Sequence, residues 1–494
     1  MKYIKTNLIL CCMILIMFTT SCSESEKPIS DSPENNSTTS PGETPENEIA
    51  LDNTKDLSET LTGTWEGTLS AGGQDLIIKF MISPADSGLS AAISVPQQNL
   101  YNHPADTLSI HNNDVAIDLA SLKASYQGTV SKNSIQGTWK QSGASIVLNL
   151  EKISDTVIDR VKRAQDPAPP FPYTAQDIYF TDNETGITFG GTVTVPNGEG
   201  PFPACILVSG SGQQNRDEEI FNHRPFLVLA DALSKAGVAV LRYDDRGMGE
   251  SGGDPMTATT LDFSHDAAAA LDWLAGQSYV NQDAIGVIGH SEGGAIAAIL
   301  GAERSDIDWL VLLAGPGVPG KELIAAQSEA IMRASNMSEQ QIRTTVSTNV
   351  KVYELAVSTR PEADKTTAIR KELIRIGMAP DQATAQTKAL LIPWMKYFLA
   401  LDPAQYLSQI TIPVLALNGT KDLQVIHTQN LPAIEEALTA AGNSKFIVKA
   451  LPDLNHLFQP ANTGLVQEYG LIETTFDPSA ISEITAWIGE TTKK

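Results

Sequence analysis

Up to about residue 152 the chain alternates apolar and polar positions in short runs. Leu76-Ile77-Ile78-Lys79-Phe80 and Val115-Ala116-Ile117-Asp118-Leu119 are examples. Turn residues separate such runs at about ten-residue spacing, which predicts a small antiparallel sheet or barrel over 57–152. The run Leu61 to Leu69 opens it, and Ser134 to Trp139 nearly repeats its Gly-Thr-Trp core. Past the proline-rich stretch Asp166 to Tyr173 the pattern changes to apolar runs separated by helical spacing. Strands are predicted at Ile187–Val195, Ala204–Ser209, Val238–Tyr243, Ile285–Ile288, Trp309–Leu313, Val414–Leu417 and Phe446–Leu451, and a last helix follows Pro478. Strands alternating with helices mean a mostly parallel sheet with helices on both faces, an α/β fold. One stretch, 321–401, shows only helical patterns and predicts a lid inserted between two core strands.

The N-terminus reads differently. Lys2 and Lys5 precede an apolar run from Leu8 to Phe18, the length of a signal-peptide core and too short to span a bilayer. Cys22 follows small residues there, which resembles a lipoprotein signal with Cys22 as the lipidated residue. Thr19 departs from the leucine usual in that pattern, and ordinary cleavage and secretion is the alternative. Residues 23–56 are rich in Ser, Thr, Pro, Glu and Asn and predict a disordered tether. The expected organisation is a lipoprotein-type signal peptide (1–22), the tether (23–56), the β domain (57–152), a linker (153–176) and a catalytic domain (177–494). The expected location is the cell envelope, by lipid anchor alone, at the outer membrane, in the periplasm or on the surface, or outside the cell without lipidation.

A formal net charge of −24 argues against nucleic acid and against a basic membrane-binding patch. Cys11, Cys12 and Cys22 belong to the N-terminal segment, so Cys205 alone remains in the mature body, as a buried strand residue. His103 and His111 have no third ligand at sensible spacing, so no metal and no cofactor is expected.

The candidate chemistry lies where a strand meets a helix. Gly289-His290-Ser291-Glu292-Gly293 follows the apolar run at Ile285 and precedes small and apolar residues. That is G-x-S-x-G in the strand–turn–helix context of a nucleophile elbow, with Ser291 at a helix N-terminus. A serine nucleophile needs a base, an acid to orient it and donors for an oxyanion. Two histidines lie downstream; His456 follows the last strand on a loop, whereas His427 sits nearer the acid. Asp422 follows the strand Val414–Leu417 through a short glycine turn and is preferred to Asp453 as the acid. The oxyanion donors are expected to be the N–H of Glu292 and that of Ser211, with Gly212 or Gln213 as the other choices for the second. Arg242 to Ser251 lacks the glycine pattern of a nucleotide site and is expected to brace the active-site loops.

From about Asp177 onward, L-V-S-G-S-G-Q, R-Y-D-D-R-G-M-G-E-S, G-H-S-E-G-G, L-N-G-T-K-D and N-H-L-F resemble the α/β-hydrolase superfamily. The branch is the bacterial one that includes serine aminopeptidase-like and dienelactone hydrolase-like esterases, and the preceding β domain resembles that of two-domain carboxylesterases. Ser209-Gly210 stands where many members have His-Gly. The resemblance implies hydrolysis of small or medium acyl esters; the expected envelope location, by itself, adds glycan-linked esters as candidates. A peptidase on the same machinery is the alternative; its amino-terminus pocket would use lid carboxylates such as Glu322 or Glu329. A non-catalytic envelope binding protein would instead show a broken triad.

Overall fold

The computed structural model describes residues 60–71, 74–85, 88–95, 100–141, 144–153 and 163–493. The expected signal peptide, Cys22 and the tether lie outside them. The described residues divide into two compact units, the first up to residue 153 and the second from residue 163 onward.

The first unit is a ten-stranded sheet: β1 (Gly63–Ala71), β2 (Gln74–Ala85), β3 (Gly88–Val95), β4 (Leu100–Pro104), β5 (Thr107–His111), β6 (Asp114–Leu119), β7 (Ala124–Ser131), β8 (Ser134–Gln141), β9 (Ala144–Val147) and β10 (Leu150–Ile153). The strands run β4-β3-β2-β1-β10-β8-β7-β6-β5, with β9 beside β8. Neighbouring strands such as β6 and β7 pair antiparallel. The period-2 alternation has its physical outcome here: Val115, Ile117 and Leu119 are buried, and Asp114 and Asp118 are exposed. Both Gly-Thr-Trp runs turn their indoles into the core formed with Phe80, Ile93 and Tyr126. The Trp65 Nε1–H donates to the Leu61 carbonyl at 2.8 Å, so this large side chain is buried without stranding its donor.

The second unit holds an eight-stranded sheet: β11 (Tyr173–Thr181), β12 (Thr188–Pro196), β13 (Phe202–Val208), β14 (Ala239–Tyr243), β15 (Val280–His290), β16 (Trp309–Leu313), β17 (Val414–Gly419) and β18 (Phe446–Leu451). The order is β11-β12-β14-β13-β15-β16-β17-β18. β12 is antiparallel to both its neighbours, and the strands from β14 across to β18 are parallel. This is the α/β-hydrolase arrangement. Every residue of β14, β16 and β17 is buried, as strands covered on both faces require. Cys205 is among the fully buried strand residues, as expected, and is a free thiol.

The expected linker 153–176 is shorter than its composition implied. β10 runs through Ile153, and β11, not among the predicted strands, starts at Tyr173 and pairs with β12 along its whole length. Of its nine residues only Tyr173, Ile178 and Phe180 are buried, so as an edge strand it carries a weak alternation.

The main helices are α1 (Pro225–Lys235), α2 (Thr260–Ala275) and α3 (Glu292–Glu303), then α4 (Gly320–Ala334), α5 (Glu339–Val357), α6 (Glu362–Arg375), α7 (Pro380–Leu390) and α8 (Pro393–Ala400). The last five form the helical insertion expected over 321–401. α9 (Ala404–Leu407), α10 (His427–Ala440), α11 (Val466–Tyr469) and α12 (Pro478–Thr491) complete the chain. α3 is built from Gly, Ala and Ile and is buried from Glu292 through Leu300, because small residues let it lie closely on the sheet.

Candidate active site

β15 ends at His290 and α3 begins at Glu292, leaving Ser291 alone on the turn between them. Its backbone has φ 55° and ψ −121°, a conformation that a non-glycine residue adopts only under constraint from its surroundings. Two hydrogen bonds fix it: Ser291 N–H donates to Leu313 O at 2.8 Å, and Gly294 N–H donates to Ser291 O at 2.9 Å. The flanking glycines are steric requirements. A Cβ on Gly289 would stand 1.9 Å from Gly293 O, and one on Gly293 would stand 2.2 Å from Val208 O.

His456 lies on the loop after β18 and Asp422 on the loop after β17, so both stand, like Ser291, at the carboxyl ends of parallel strands. His456 Nδ1–H donates to Asp422 Oδ2 at 2.8 Å, with both side chains buried. The other carboxylate oxygen, Oδ1, accepts from Gln424 N–H at 2.7 Å and Val425 N–H at 3.0 Å. The acid therefore keeps its charge satisfied while orienting the imidazole, and Nε2 is left as the basic nitrogen. Asp453 is exposed and is not the partner of His456; its own N–H donates to Thr420 Oγ1 at 2.8 Å. His427 is the first residue of α10.

The loop after β13 approaches the elbow closely: a Cβ on Gly210 would lie 3.0 Å from Ser291 Cβ. Gly210 N–H is already spent on Glu218 Oε1 at 2.9 Å, whereas among the described residues Ser211 N–H has no hydrogen-bond acceptor. Glu292 N–H opens α3 and has no carbonyl one turn earlier in that helix to accept it. Ser209 and Gln214 are clamped by one buried carboxylate, Asp245. Its Oδ1 accepts from Ser209 Oγ at 2.7 Å and its Oδ2 from Gln214 N–H at 2.8 Å. Burial pushes the Asp245 carboxyl well above the usual range, and these hydrogen bonds pull it back. Two further contacts in the same run brace the loops. Arg216 forks onto Asp244 at 2.7 and 3.1 Å, and Arg246 forks onto Asp266 at 2.7 and 2.9 Å.

Further side-chain contacts at this site were not singled out from the sequence. The Glu292 carboxylate is buried and receives Thr260 Oγ1 at 2.6 Å and Trp394 Nε1 at 2.8 and 3.1 Å. Ser211 also hydrogen-bonds it; burial raises the Glu292 carboxyl and these donors lower it. Trp394 belongs to α8 of the helical insertion, so the insertion reaches the residue next to the nucleophile. His290 Nδ1 lies 2.8 Å from Glu218 Oε1, and His290 Nε2–H donates to the His456 carbonyl at 2.9 Å. The only sequence sign of Glu218 was the paired acids Glu218-Glu219 beside a glycine-rich loop. Glu322 is exposed in the first turn of α4, and Glu329 pairs with Arg333 at 2.8 Å. His111 is exposed, the His103 side chain is outside the description, and no three metal-ligating side chains cluster among the described residues.

Residues 224–459 match the family described as serine aminopeptidase, S33. A 302-residue stretch is 30% identical to esterase EstD of Thermotoga maritima, covering 60% of this chain and 65% of that protein. A 124-residue stretch is 32% identical to an uncharacterized Mycobacterium tuberculosis protein, covering 25% of this chain and 40% of that one. The chain thus spans less than two thirds of the length of these relatives. The solved structure of a Pyrococcus furiosus esterase, Pf2001, superposes with a TM-score of 0.40 at 16% identity, over 65% of this chain and 92% of that one. The second unit has the α/β-hydrolase fold, and its residues 224–459 match the serine aminopeptidase S33 family.

Proposed function

We propose that this protein is a serine hydrolase of carboxylic esters. Ser291 Oγ attacks the ester carbonyl carbon and gives its proton to His456 Nε2. Asp422 holds the opposite ring N–H and stabilises the imidazolium that forms. The oxyanion is received by the N–H groups of Glu292 and Ser211. The alkoxide leaves with the proton from His456, and water then attacks the acyl-enzyme along the reverse path. The observation that carries this reading is the His456–Asp422 hydrogen bond at 2.8 Å on loops beside a strained Ser291. The matched Thermotoga maritima protein is named an esterase, which supports the same reaction class.

The serine aminopeptidase match keeps a peptidase reading on the same machinery in view. Two of the three candidate carboxylates favour the ester. Glu329 is paired with Arg333, and the Glu292 oxygens are occupied by Thr260, Trp394 and Ser211, which leaves neither open to a substrate ammonium; Glu322 faces solvent. The test is hydrolysis of p-nitrophenyl esters from acetyl to decanoyl, beside aminoacyl anilides. Ester turnover without anilide turnover is expected; anilide cleavage alone would establish the peptidase.

A further inference from the structure

We infer that His290 stands at neutral pH as an imidazolium paired with Glu218, and that this pair is a positioning device holding the oxyanion loop and the general-base loop against the nucleophile elbow. The inference rests on the serine-hydrolase reading for its functional half.

The hydrogen-bond partners point to this charge. His290 Nε2 lies 2.9 Å from the His456 backbone oxygen, which can only accept, so Nε2 carries a hydrogen. Nδ1 lies 2.8 Å from Glu218 Oε1, and that same oxygen accepts Gly210 N–H at 2.9 Å. Nδ1 and Oε1 share one hydrogen; we place it on Nδ1, because Oε1 also takes the Gly210 N–H and an ionised oxygen is the stronger double acceptor. Two ring hydrogens make a cation. The partners also form an unbroken path: Gly210 of the oxyanion loop, Glu218, His290 beside Ser291, and the backbone of His456.

His223 shows the opposite outcome at comparable burial. Its Nε2 faces the Tyr469 carbonyl at 3.0 Å, but its Nδ1 faces Thr475 Oγ1 at 2.9 Å, a hydroxyl able to donate. That set suits a neutral ring, and burial pushes the His223 pKa down to about 4. At His290 burial also acts downward, yet the Glu218 charge and hydrogen bond outweigh it, so the net direction is upward.

The titratable groups facing His290 come from three loops: Glu218 on the loop after β13, Asp422 after β17, and His456 after β18, whose ring centroid lies 4.7 Å away. Glu292, two residues on, spends its carboxylate on Thr260, Trp394 and Ser211.

The test is ¹⁵N-histidine NMR on the full chain carrying Ser291→Ala, with the His290 signals assigned through an added His290→Gln. Hydrogens on both ring nitrogens at pH 7 are expected, with titration above the ordinary histidine value of about 6.5. Adding Glu218→Gln is expected to move that titration downward. One ring hydrogen at pH 7 with Glu218 intact, or a titration that Glu218→Gln leaves in place, overturns the inference. In the active protein, Glu218→Gln is expected to lower kcat for p-nitrophenyl acetate by about 10–100-fold, the size of a lost charged hydrogen bond, with KM changing less than about twofold. An unchanged kcat overturns the positioning role. Turnover by the unmutated protein without the imidazolium signature sinks this inference alone. The signature without any turnover sinks the hydrolase reading, and the positioning role with it.

Discussion

The two units bury apolar cores of the same character but differ in the polar groups they bury. In the ten-stranded sheet the buried polar residues among those described are Thr64 and Ser94, neither of them ionisable. The second unit buries Asp182, Glu218, Glu219, His223, Asp244, Asp266, His290, Glu292, Asp422 and His456, among others. Removing a charge from water costs several kcal/mol unless partners replace the solvent, so a fold collects such groups where they have work to do. Much of this set lies on the loops around Ser291. Among its described residues the first unit buries no acidic or basic side chain.

Substitutions on the two sides of this contrast are expected to have different consequences. The largest belongs to the second unit. Ser291→Ala is expected to lower ester turnover by on the order of 10⁴–10⁶-fold with the circular dichroism spectrum unchanged, since only Oγ is lost. Asp422→Asn is expected to cost on the order of 10⁴-fold, because the amide's N–H₂ can turn toward Nδ1 and leave the wrong tautomer of His456. Measuring kcat/KM on p-nitrophenyl acetate checks both, and an Asp422→Asn variant within tenfold of the parent would remove Asp422 from its role. In the first unit, Trp65→Ala opens a cavity at a fully buried indole. It is expected to destabilise that unit by about 3–5 kcal/mol, read by urea denaturation. Turnover of a small ester is expected to stay within twofold, and a parallel loss of activity would break the contrast.

The smallest effects are those of pH on stability. His290 has a folded pKa raised above its unfolded value near 6.5. Its contribution is therefore fully present below about pH 6.5 and is lost as pH rises through the folded value. His223, lowered to about 4, acts in the opposite direction: stability falls as pH drops from about 6.5 toward 4, because the unfolded chain takes the proton first. Thermal midpoints of His223→Gln and His290→Gln across pH 4–9 are expected to lose these slopes, one on the acid side and one on the alkaline side.

The parts of this architecture legible in the sequence are those set by local pattern. Buried parallel strands read as apolar runs, as Trp309–Leu313 does; Phe446–Leu451 also lies at its predicted bounds, although at the sheet edge only Leu451 in it is buried. The elbow was legible because its glycines answer a steric demand within a few residues. β11 was not, since six of its nine positions face solvent or near-solvent polar surroundings. The carboxylate contacts of Glu218 and Glu292 were hidden for another reason. Each depends on segments far apart in the chain: Glu218 meets His290 across 72 residues and Trp394 meets Glu292 across 102. No periodicity reports such a meeting. Asp422 was separable from Asp453 in sequence by its place after a strand and a glycine turn, whereas the burial of one and the exposure of the other is a tertiary fact.

The central claim is a covalent acyl-enzyme on Ser291, and the most direct measurement is mass spectrometry of the protein quenched in acid during steady-state turnover of a p-nitrophenyl ester. The account predicts a mass increase equal to one acyl group, carried by the peptide that contains Ser291 and absent from Ser291→Ala. Turnover with no adduct, or with the acyl group on another peptide, would contradict it.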